Sequence, residues 1–191
     1  ISPRDYARFN LITFDPGKTP DSAKMLAMAK KYLAEPTFGG PGFGAFGSSG
    51  MGKTHICIAV CQELTRRYRE PHHYFSYRSI MPGLVKASKS FKDDYEAEMQ
   101  KWVRYQNLYI DDMFKFSGKQ AGDRIVIDQD ELRVFFDLIN ARYLSHKTTL
   151  FSSEYTVKDI AAIDGALGSR IYDMVKPYGL AVSGPNQRLV G

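Results

Sequence analysis

The residues best suited to chemistry lie in one short run, Gly47-Ser-Ser-Gly-Met-Gly-Lys-Thr54, which matches the pattern G-x-x-x-x-G-K-[ST]. Glycines at this spacing let successive backbone N–H groups point inward around an anion, and the helix that follows adds its positive N-terminal end. The lysine of the pattern reaches the β- and γ-phosphates, and the next hydroxyl completes the coordination of Mg²⁺. The run predicts that ATP and Mg²⁺ are bound by Gly47, Ser48, Ser49, Gly50, Met51, Gly52, Lys53, Thr54 and His55.

The segments on either side of this phosphate loop support that interpretation. Residues 42–46 are apolar and predict a strand, and residues 55–68 carry Ile56, Val60 and Leu64 at helical spacing. The run 42–47 also matches G-x-G-x-x-G, but a dinucleotide site needs a strand before the first glycine and a helix at the last. Because a loop-like segment precedes Gly42, we set the dinucleotide hypothesis aside.

An acidic pair at the end of an apolar segment is the second candidate for chemistry. In Leu108-Tyr-Ile-Asp-Asp112, we expect Asp111 to hold Mg²⁺ through its water shell and Asp112 to act as general base toward the attacking water. The alternative is that the two aspartates only end a strand. Their combination with Lys53 favours the catalytic interpretation.

Two later segments offer further polar groups. Residues 148–154 predict a strand that brings Ser152, Ser153 and Glu154 near the terminal phosphate, where a polar side chain can orient the attacking water or sense the phosphate. The alternative is an ordinary helix N-cap, which Ser153 and Thr156 both suit. Arg170 lies on a late helix, from which it could complete the site of a neighbouring subunit as an arginine finger. An exposed, solvated arginine is the alternative interpretation.

The order of the elements predicts an α/β fold. We expect helices at 21–33, 84–104 and 130–144, further strands at 73–77, 107–110 and 179–182, and a loop at 117–128. A last helical region, 156–175, is predicted to break near Asp164. Strands that alternate with helices indicate a mainly parallel sheet with helices on both faces, a three-layer P-loop fold. We divide the chain into an N-terminal lead-in and helix, 1–36, and an ATP-binding domain, 37–191.

The composition limits the classes of protein to which this chain can belong. A chain of 191 residues with 43% hydrophobic and 25% charged residues is typical of one globular domain. No apolar run is long enough to cross a bilayer and no secretory leader is evident, so we expect a cytoplasmic protein without a membrane partner. The net charge of +5 permits nucleic acid as a partner without requiring it. Cys57 and Cys61 are too few for a zinc site, and we expect both to be buried in a helix.

Several segments together resemble the AAA+ domain of bacterial and phage helicase loaders of the DnaC/DnaI type. Besides the phosphate loop, they are Ile110-Asp-Asp-Met-Phe-Lys115, Ile139-Asn-Ala-Arg-Tyr143, Phe151-Ser-Ser-Glu154 and Ala166-Leu-Gly-Ser-Arg-Ile-Tyr172. The resemblance covers the chain from about Phe9 onward. It implies a slow ATPase that acts as a switch and helps to place a replicative helicase on single-stranded DNA.

The resemblance also implies roles for particular residues. Asp111 and Asp112 would form the Walker B pair, Glu154 would occupy the sensor 1 position, and Arg170 would mediate self-association as the arginine finger. Asp112 and Glu154 stand where Glu and Asn are usual, which suggests slow hydrolysis. Residues 186–188 could supply a second sensor arginine, Arg188, but a full lid does not fit in the remaining chain.

DNA contacts would come from helices after the second strand, through Arg78, Lys86 and Lys89 among other basic residues. Acidic residues interrupt this row of basic residues, so the alternative to DNA binding is a solvated surface of mixed charge.

Three other functions stay open at this point. A transposition helper ATPase of the IstB type shares this core but serves a transposase. A small-molecule kinase would need an arginine-rich lid, for which residues 117–128 offer only Lys119 and Arg124. A nucleotide-binding adaptor that does not hydrolyse ATP is the third. The helicase-binding part of the loaders lies N-terminal to the AAA+ domain, and because this chain begins with Ile1 we expect such a part to be missing here.

Overall fold

A five-stranded parallel sheet forms the centre of the computed structural model, which describes residues 1–35, 39–115, 117–121 and 124–187. In space the strands follow the order β2-β3-β6-β1-β7. Their bounds are β1 Gly44–Gly47, β2 His73–Ser76, β3 Asn107–Met113, β6 Thr148–Ser153 and β7 Gly179–Val182. Two short antiparallel strands, β4 Lys119–Ala121 and β5 Arg124–Val126, form a separate hairpin.

Eight helices surround this sheet in the described residues. Their bounds are α1 Pro3–Arg8, α2 Pro20–Ala34, α3 Lys53–Tyr68, α4 Tyr77–Ser88, α5 Lys92–Val103, α6 Gln129–Leu144, α7 Val157–Ile163 and α8 Gly165–Val175. Side-chain caps fix several of the starts. Thr156 accepts a hydrogen bond from the Asp159 backbone N–H, and Asp159 accepts one from the Thr156 backbone, a capping box at α7.

The alternation of side chains along each strand divides the core into two layers. On β1, Ala45 packs in one cluster with α2 and α3, whereas Phe46 packs in the other with α4, α6 and α8. Leu150 and Phe151 on β6 divide between the two layers in the same way. Because successive strand residues point to opposite faces, apolar residues at both positions cover the sheet with helices on each side. The predicted three-layer α/β/α fold with a parallel sheet is confirmed.

The element predictions need three corrections. The predicted helix over 84–104 is two helices, and the first of them, α4, begins at Tyr77, where we expected the end of a strand. Pro82 lies inside α4, where it removes one backbone hydrogen bond without ending the helix. Residues 117–128 were predicted to be a loop but contain the β4–β5 hairpin. The predicted break near Asp164 is confirmed, since Asp164 ends α7 and caps α8.

Candidate nucleotide-binding site

The phosphate loop connects β1 to α3 at the carboxyl edge of the sheet. Gly47 has a φ of +118°, and a Cβ there would lie 2.1 Å from the Val182 carbonyl oxygen on β7. Gly52 caps α3 in the left-handed region, with a φ of +85°. Both positions therefore require glycine. The start of α3 has no side-chain cap, which leaves its first N–H groups directed at the cleft.

Lys53 is the buried cation of the loop. Its side chain curls back, so that Nζ donates to the carbonyl oxygens of Gly47 at 2.8 Å and Ser48 at 2.7 Å. Burial lowers the pKa of this ammonium, while the negative charges of Glu154 and Asp112 act in the opposite direction. A buried cation whose partners are neutral carbonyls is well placed to receive phosphate oxygens.

A bulge in β3 presents the two aspartates to the cleft. Ile110 pairs with Phe151 and Met113 pairs with Ser153, so that Asp111 and Asp112 together oppose Ser152. Asp112 adopts the left-handed region with a φ of +54°, and its N–H donates to Ser152 Oγ at 3.0 Å. Such a bulge redirects side chains that would otherwise alternate between the faces of the sheet. Both carboxylates consequently line the same cleft.

Four hydroxyl groups hold the carboxylate of Asp111. Thr54 Oγ1 donates at 2.9 Å, Tyr109 OH at 2.5 Å and Ser152 Oγ at 2.6 Å to Oδ1, and Tyr74 OH donates at 2.6 Å to Oδ2. Thr54 and Asp111, the predicted metal residues, are therefore in direct contact. Tyr74 and Tyr109 were not among the predicted site residues, whereas Ser152 was expected near the terminal phosphate rather than in contact with Asp111. Strand alternation could have identified Tyr109, because a residue two before Asp111 faces the same way.

An ion-pair cluster joins the ends of β3 and β6. Lys115 Nζ lies 3.0 Å from Asp112 Oδ2 and 3.2 Å from Glu154 Oε1. Burial acts to raise the pKa of Glu154, but a hydrogen bond from Ser49 and the contact with Lys115 outweigh it, so its pKa is lowered. Burial acts to lower the pKa of Lys115, but its bonds to both carboxylates raise it. Glu154 lies between the tips of β3 and β1, because β6 lies between those strands.

The N-terminal segment forms the other wall of a cleft of about 820 Å³. His55 Nε2 lies 2.9 Å from the carbonyl oxygen of Asn10, and the His55 ring contacts the rings of Phe9 and Phe14 at centroid distances of 4.9 and 5.2 Å. The cleft residues that sequence analysis did not select include Arg8, Phe9, Thr13, Phe14, Asp15, Lys18 and Gln187. All of these except Gln187 belong to the first twenty residues, and their contribution depends on how that segment folds back, for which no local motif exists.

Arg170 lies away from this cleft. Its Nε donates to Asn140 Oδ1 at 2.8 Å, its guanidinium also donates to the Ala166 carbonyl, and it stacks over the Phe136 ring at 4.8 Å. The side chain is partly exposed on the α6–α8 surface. The structure therefore does not bring Arg170 together with the phosphate loop of its own chain. Arg188, the expected second sensor, lies outside the described residues.

The predicted DNA-binding residues line a second cavity, the α4 groove, of about 570 Å³. Arg78, Lys86, Lys89 and Lys115 contribute positive charge to this groove, and Asp128 and Glu131 contribute negative charge. Lys89 pairs with Asp130 at 2.6 Å, so part of the positive charge is neutralised. Phe91 follows in the α4–α5 turn with 83% of its surface exposed. Lys115 lines both the α4 groove and the nucleotide cleft.

The residues present fit a magnesium nucleotide. Lys53, the uncapped start of α3 and the phosphate-loop N–H groups suit a polyphosphate, and the adjacent oxygens of Thr54 and Asp111 suit Mg²⁺. Among the described residues, no group of three or more His, Cys, Asp or Glu side chains could hold a metal ion without further ligands. Phosphate oxygens and water would have to complete the coordination, which is usual for Mg²⁺.

This sheet order, phosphate loop and acidic pair define a P-loop domain of the AAA+ class. The sequence profile of the bacterial DnaA ATPase domain matches residues 7–176, and the chain belongs to that family. Among curated proteins, the phage-like element PBSX protein XkdC of Bacillus subtilis is 34% identical over 153 residues, which cover 76% of this chain and 53% of XkdC. The chain thus spans about half the length of the curated relatives it matches.

Solved structures share the fold. A DnaC helicase loader superimposes with a TM-score of 0.74 at 21% identity, covering 95% of this chain and all of that one. A replication initiator DnaA bound to AMPPCP and single-stranded DNA gives a TM-score of 0.67 at 21% identity, covering 97% of this chain and 52% of that one. The resemblance to DnaC/DnaI-type loaders is confirmed. No helix within the described ranges is long and apolar enough to span a membrane.

Proposed function

We propose that this protein is an ATP-dependent switch that helps to load a replicative helicase onto single-stranded DNA. The observation that carries the nucleotide part is the convergence of Lys53, Thr54 and the Asp111–Asp112 pair in one cleft. The partner part rests on the fold shared with the DnaC helicase loader and on membership of the DnaA ATPase family. Slow ATP hydrolysis suits a switch, in which bound nucleotide shifts the balance between two states.

Each cleft residue has a task in this mechanism. Lys53 exchanges its two carbonyl partners for the β- and γ-phosphates, and Mg²⁺, when bound at Thr54 and Asp111, supplies positive charge to the phosphate oxygens. Asp112 orients a water molecule and accepts its proton. In this structure the Asp112 carboxylate is engaged by Lys115, so it must reorient before it can reach that water. This requirement gives a physical reason for slow turnover.

We assign Arg170 to the site of a neighbouring subunit. It lies on the α6–α8 surface, is partly exposed, and is remote from its own phosphate loop. Loss of activity in Arg170→Ala alone would not prove this role, because Arg170 also holds Asn140 and Phe136 within its own chain. Mixing two defective variants separates the two roles.

The test mixes Arg170→Ala, which keeps its phosphate loop, with Lys53→Ala, which keeps its Arg170. If the site is shared, ATP turnover in the mixture exceeds the sum of the two variants alone, because one subunit supplies the loop and the other the arginine. Turnover of the wild-type protein should also rise more than linearly with protein concentration. A mixture no more active than its parts, with wild-type turnover strictly linear in concentration, contradicts the shared site.

For the DNA partner, we assign the exposed Phe91 and the α4 groove to single-stranded DNA. An exposed aromatic ring beside lysines is suited to base stacking and phosphate contact. Phe91→Ala should weaken binding of a labelled oligonucleotide by about 1–3 kcal/mol, and Tyr172→Ala, a half-exposed aromatic on α8, is the matched control. Equal affinities of the two variants for the oligonucleotide would show that single-stranded DNA does not bind at this surface.

Capture of the replicative helicase decides between a loader and the alternatives. A loader retains the helicase in an ATP-dependent manner, whereas a helper of transposition retains a transposase instead. A kinase would transfer phosphate to a small acceptor without either protein. The side chains of Lys119 and Arg124, which a kinase lid would use, lie outside the part of the structure that is described.

A further inference from the structure

Lys115 is a cleft residue whose role does not follow from the phosphate-loop or Walker B patterns. It follows β3 by two residues, and its side chain is 23% exposed. From there it bridges Asp112 at the end of β3 and Glu154 at the end of β6. Lys115 therefore connects two carboxylates that belong to different strands and face the same cleft.

These three charges lie within the electrostatic field of Lys53. The charges of Glu154 and Asp112 act to raise the pKa of Lys53, and the charge of Lys115 acts to lower it. Two lysines and two carboxylates thus form one neutral cluster at the end of the phosphate loop. Glu154 also accepts a hydrogen bond from Ser49, so the cluster is attached to the loop itself.

Neutrality of this cluster matters for the ligand that the loop is built to bind. A nucleoside triphosphate places its most negative group, the terminal phosphate, at the lysine of the loop. Without Lys115, that phosphate would face two carboxylates that have lost the cation they share, in a partly buried site where like charges repel more strongly than in water. A nucleoside diphosphate lacks the terminal phosphate and would experience less of this repulsion.

We infer that Lys115 is a positioning residue that makes Asp112 and Glu154 compatible with a terminal phosphate, and thereby sets the preference for a nucleoside triphosphate over a diphosphate. It does so by pairing both carboxylates with its own ammonium, while Ser49 attaches Glu154 to the loop. The inference rests on the proposed function, since it assumes that the cleft binds a nucleoside triphosphate.

The experiment measures equilibrium affinity for ATP and ADP in the presence of Mg²⁺, by competition with a fluorescent nucleotide. The variants are Lys115→Gln, Lys115→Arg, Glu154→Gln and the double variant Lys115→Gln/Glu154→Gln. Lys158→Gln, which removes an exposed lysine of α7 outside the cleft, is the matched control for charge. Thermal unfolding of each variant establishes that it is folded.

We expect Lys115→Gln to lower the ratio of ATP affinity to ADP affinity by about tenfold. Lys115→Arg and the control should keep the wild-type ratio. The double variant should recover most of the loss, because one carboxylate then disappears together with the ammonium. Glu154→Gln alone should bind ATP at least as well as the wild type, which keeps the inference testable if Lys115→Gln does not fold.

Three results would overturn the inference, and the first two concern Lys115 directly. One is a Lys115→Gln variant that loses ATP and ADP affinity equally, and the other is a double variant that shows no recovery. Weaker ATP binding by Glu154→Gln would count against it as well. Failure of the wild-type protein to bind ATP at all is a different outcome, because it would contradict the proposed function rather than the role of Lys115.

Discussion

Asp111 has the most restricted side chain of the candidate site. Its two oxygens accept hydrogen bonds from four hydroxyl groups on three strands and one helix. Such an arrangement fixes the carboxylate before any ligand arrives, which is the physical meaning of a preorganised site. The hydroxyl groups differ in exposure, since Tyr109 is 1% exposed and Tyr74 borders the cleft.

This difference predicts unequal effects of removing the two phenol groups. Tyr109→Phe should lower the free energy of unfolding by about 2 kcal/mol, because the lost bond is buried and goes to a charged group. Tyr74→Phe should cost less than half as much, because water in the cleft can replace its hydroxyl. Urea denaturation at pH 7 measures both values. A loss for Tyr74→Phe that equals the loss for Tyr109→Phe would contradict this account of the Asp111 contacts.

His72 is a second residue with a measurable signature. Its Nε2 is buried without a hydrogen-bond partner among the described residues, and burial lowers its pKa to about 4. The neighbouring positive charges of Arg142 and His73 act in the same direction, against a hydrogen bond to the Glu70 carbonyl. The unfolded chain therefore binds this proton at a higher pH than the folded protein does. Stability present at pH 7 is lost as the pH falls from about 6.5 toward 4.

Replacing His72 with Phe should remove this part of the pH dependence. Between pH 7 and pH 5, the wild-type protein should lose about 2 kcal/mol more stability than His72→Phe. Each protein is compared with its own value at pH 7, so a constant cost of the substitution cancels. Parallel stability curves for the two proteins would show that His72 titrates normally in the folded state.

At the scale of elements, β3 and β6 do most to build the site. The bulge at the end of β3 and the polar residues at the end of β6 bring five side chains to one edge of the sheet, namely those of Asp111, Asp112, Lys115, Ser152 and Glu154. At their other ends, the same strands lie close to a fully buried arginine. Arg142 on α6 donates to Thr149 Oγ1 and to the carbonyl oxygens of Trp102, Tyr105 and Thr148 at 2.7–3.0 Å.

Arg142 should therefore be essential for docking α6 and the end of α5 onto the sheet. Burial lowers its pKa to about 9, which leaves the guanidinium charged at neutral pH. Arg142→Leu should lower the free energy of unfolding by about 3 kcal/mol, because several buried carbonyls lose their donor. Arg133→Leu, on the exposed face of the same helix, should change it by no more than about 0.5 kcal/mol. Similar losses in the two variants would contradict a special role for Arg142.

The elements also show which parts of the fold and of the site could be predicted from the sequence. Lys53, Thr54 and Asp111 were predictable because a local pattern carries their chemistry, and the parallel sheet followed from the alternation of strands and helices. Lys115 was given no role, because its contacts depend on the pairing of β3 with β6 and on a bulge. Ser152 was expected near the terminal phosphate, but its hydrogen bonds to Asp111 and to the Asp112 backbone were not. The start of α4 at Tyr77 was missed because Pro82 was taken as a helix boundary, although packing of α4 against α6 and β3 tolerates a proline inside the helix.

At the scale of the whole molecule, segments from both ends of the described chain meet at the phosphate loop. Residues 8–18 form one wall of the cleft, and His55 on α3 contacts this wall. Gln187 also lines the cleft and donates a hydrogen bond to Ser22 on α2. The central sheet supplies the phosphate-binding edge, and the first twenty residues supply the apolar ring contacts beside it. Nucleotide should accordingly order regions that lie far apart in sequence.

Hydrogen exchange can test this expectation. Saturating ATP with Mg²⁺ should slow amide exchange in residues 8–18 as well as in the phosphate loop, because a bound ligand opposes local opening of every segment that it contacts. Lys53→Ala under the same conditions should show neither effect. Protection confined to residues 47–55 would mean that the N-terminal wall does not contact the nucleotide.

Lys115 belongs to two cavities at once, and this has a thermodynamic consequence. A ligand of the α4 groove that draws the ammonium away from Glu154 must change the affinity of the cleft for nucleotide. Reciprocity then requires nucleotide to change the affinity of that groove ligand by the same factor. One shared side chain would thus be enough for a ligand in either cavity to change the ligand affinity of the other, without any movement of the sheet.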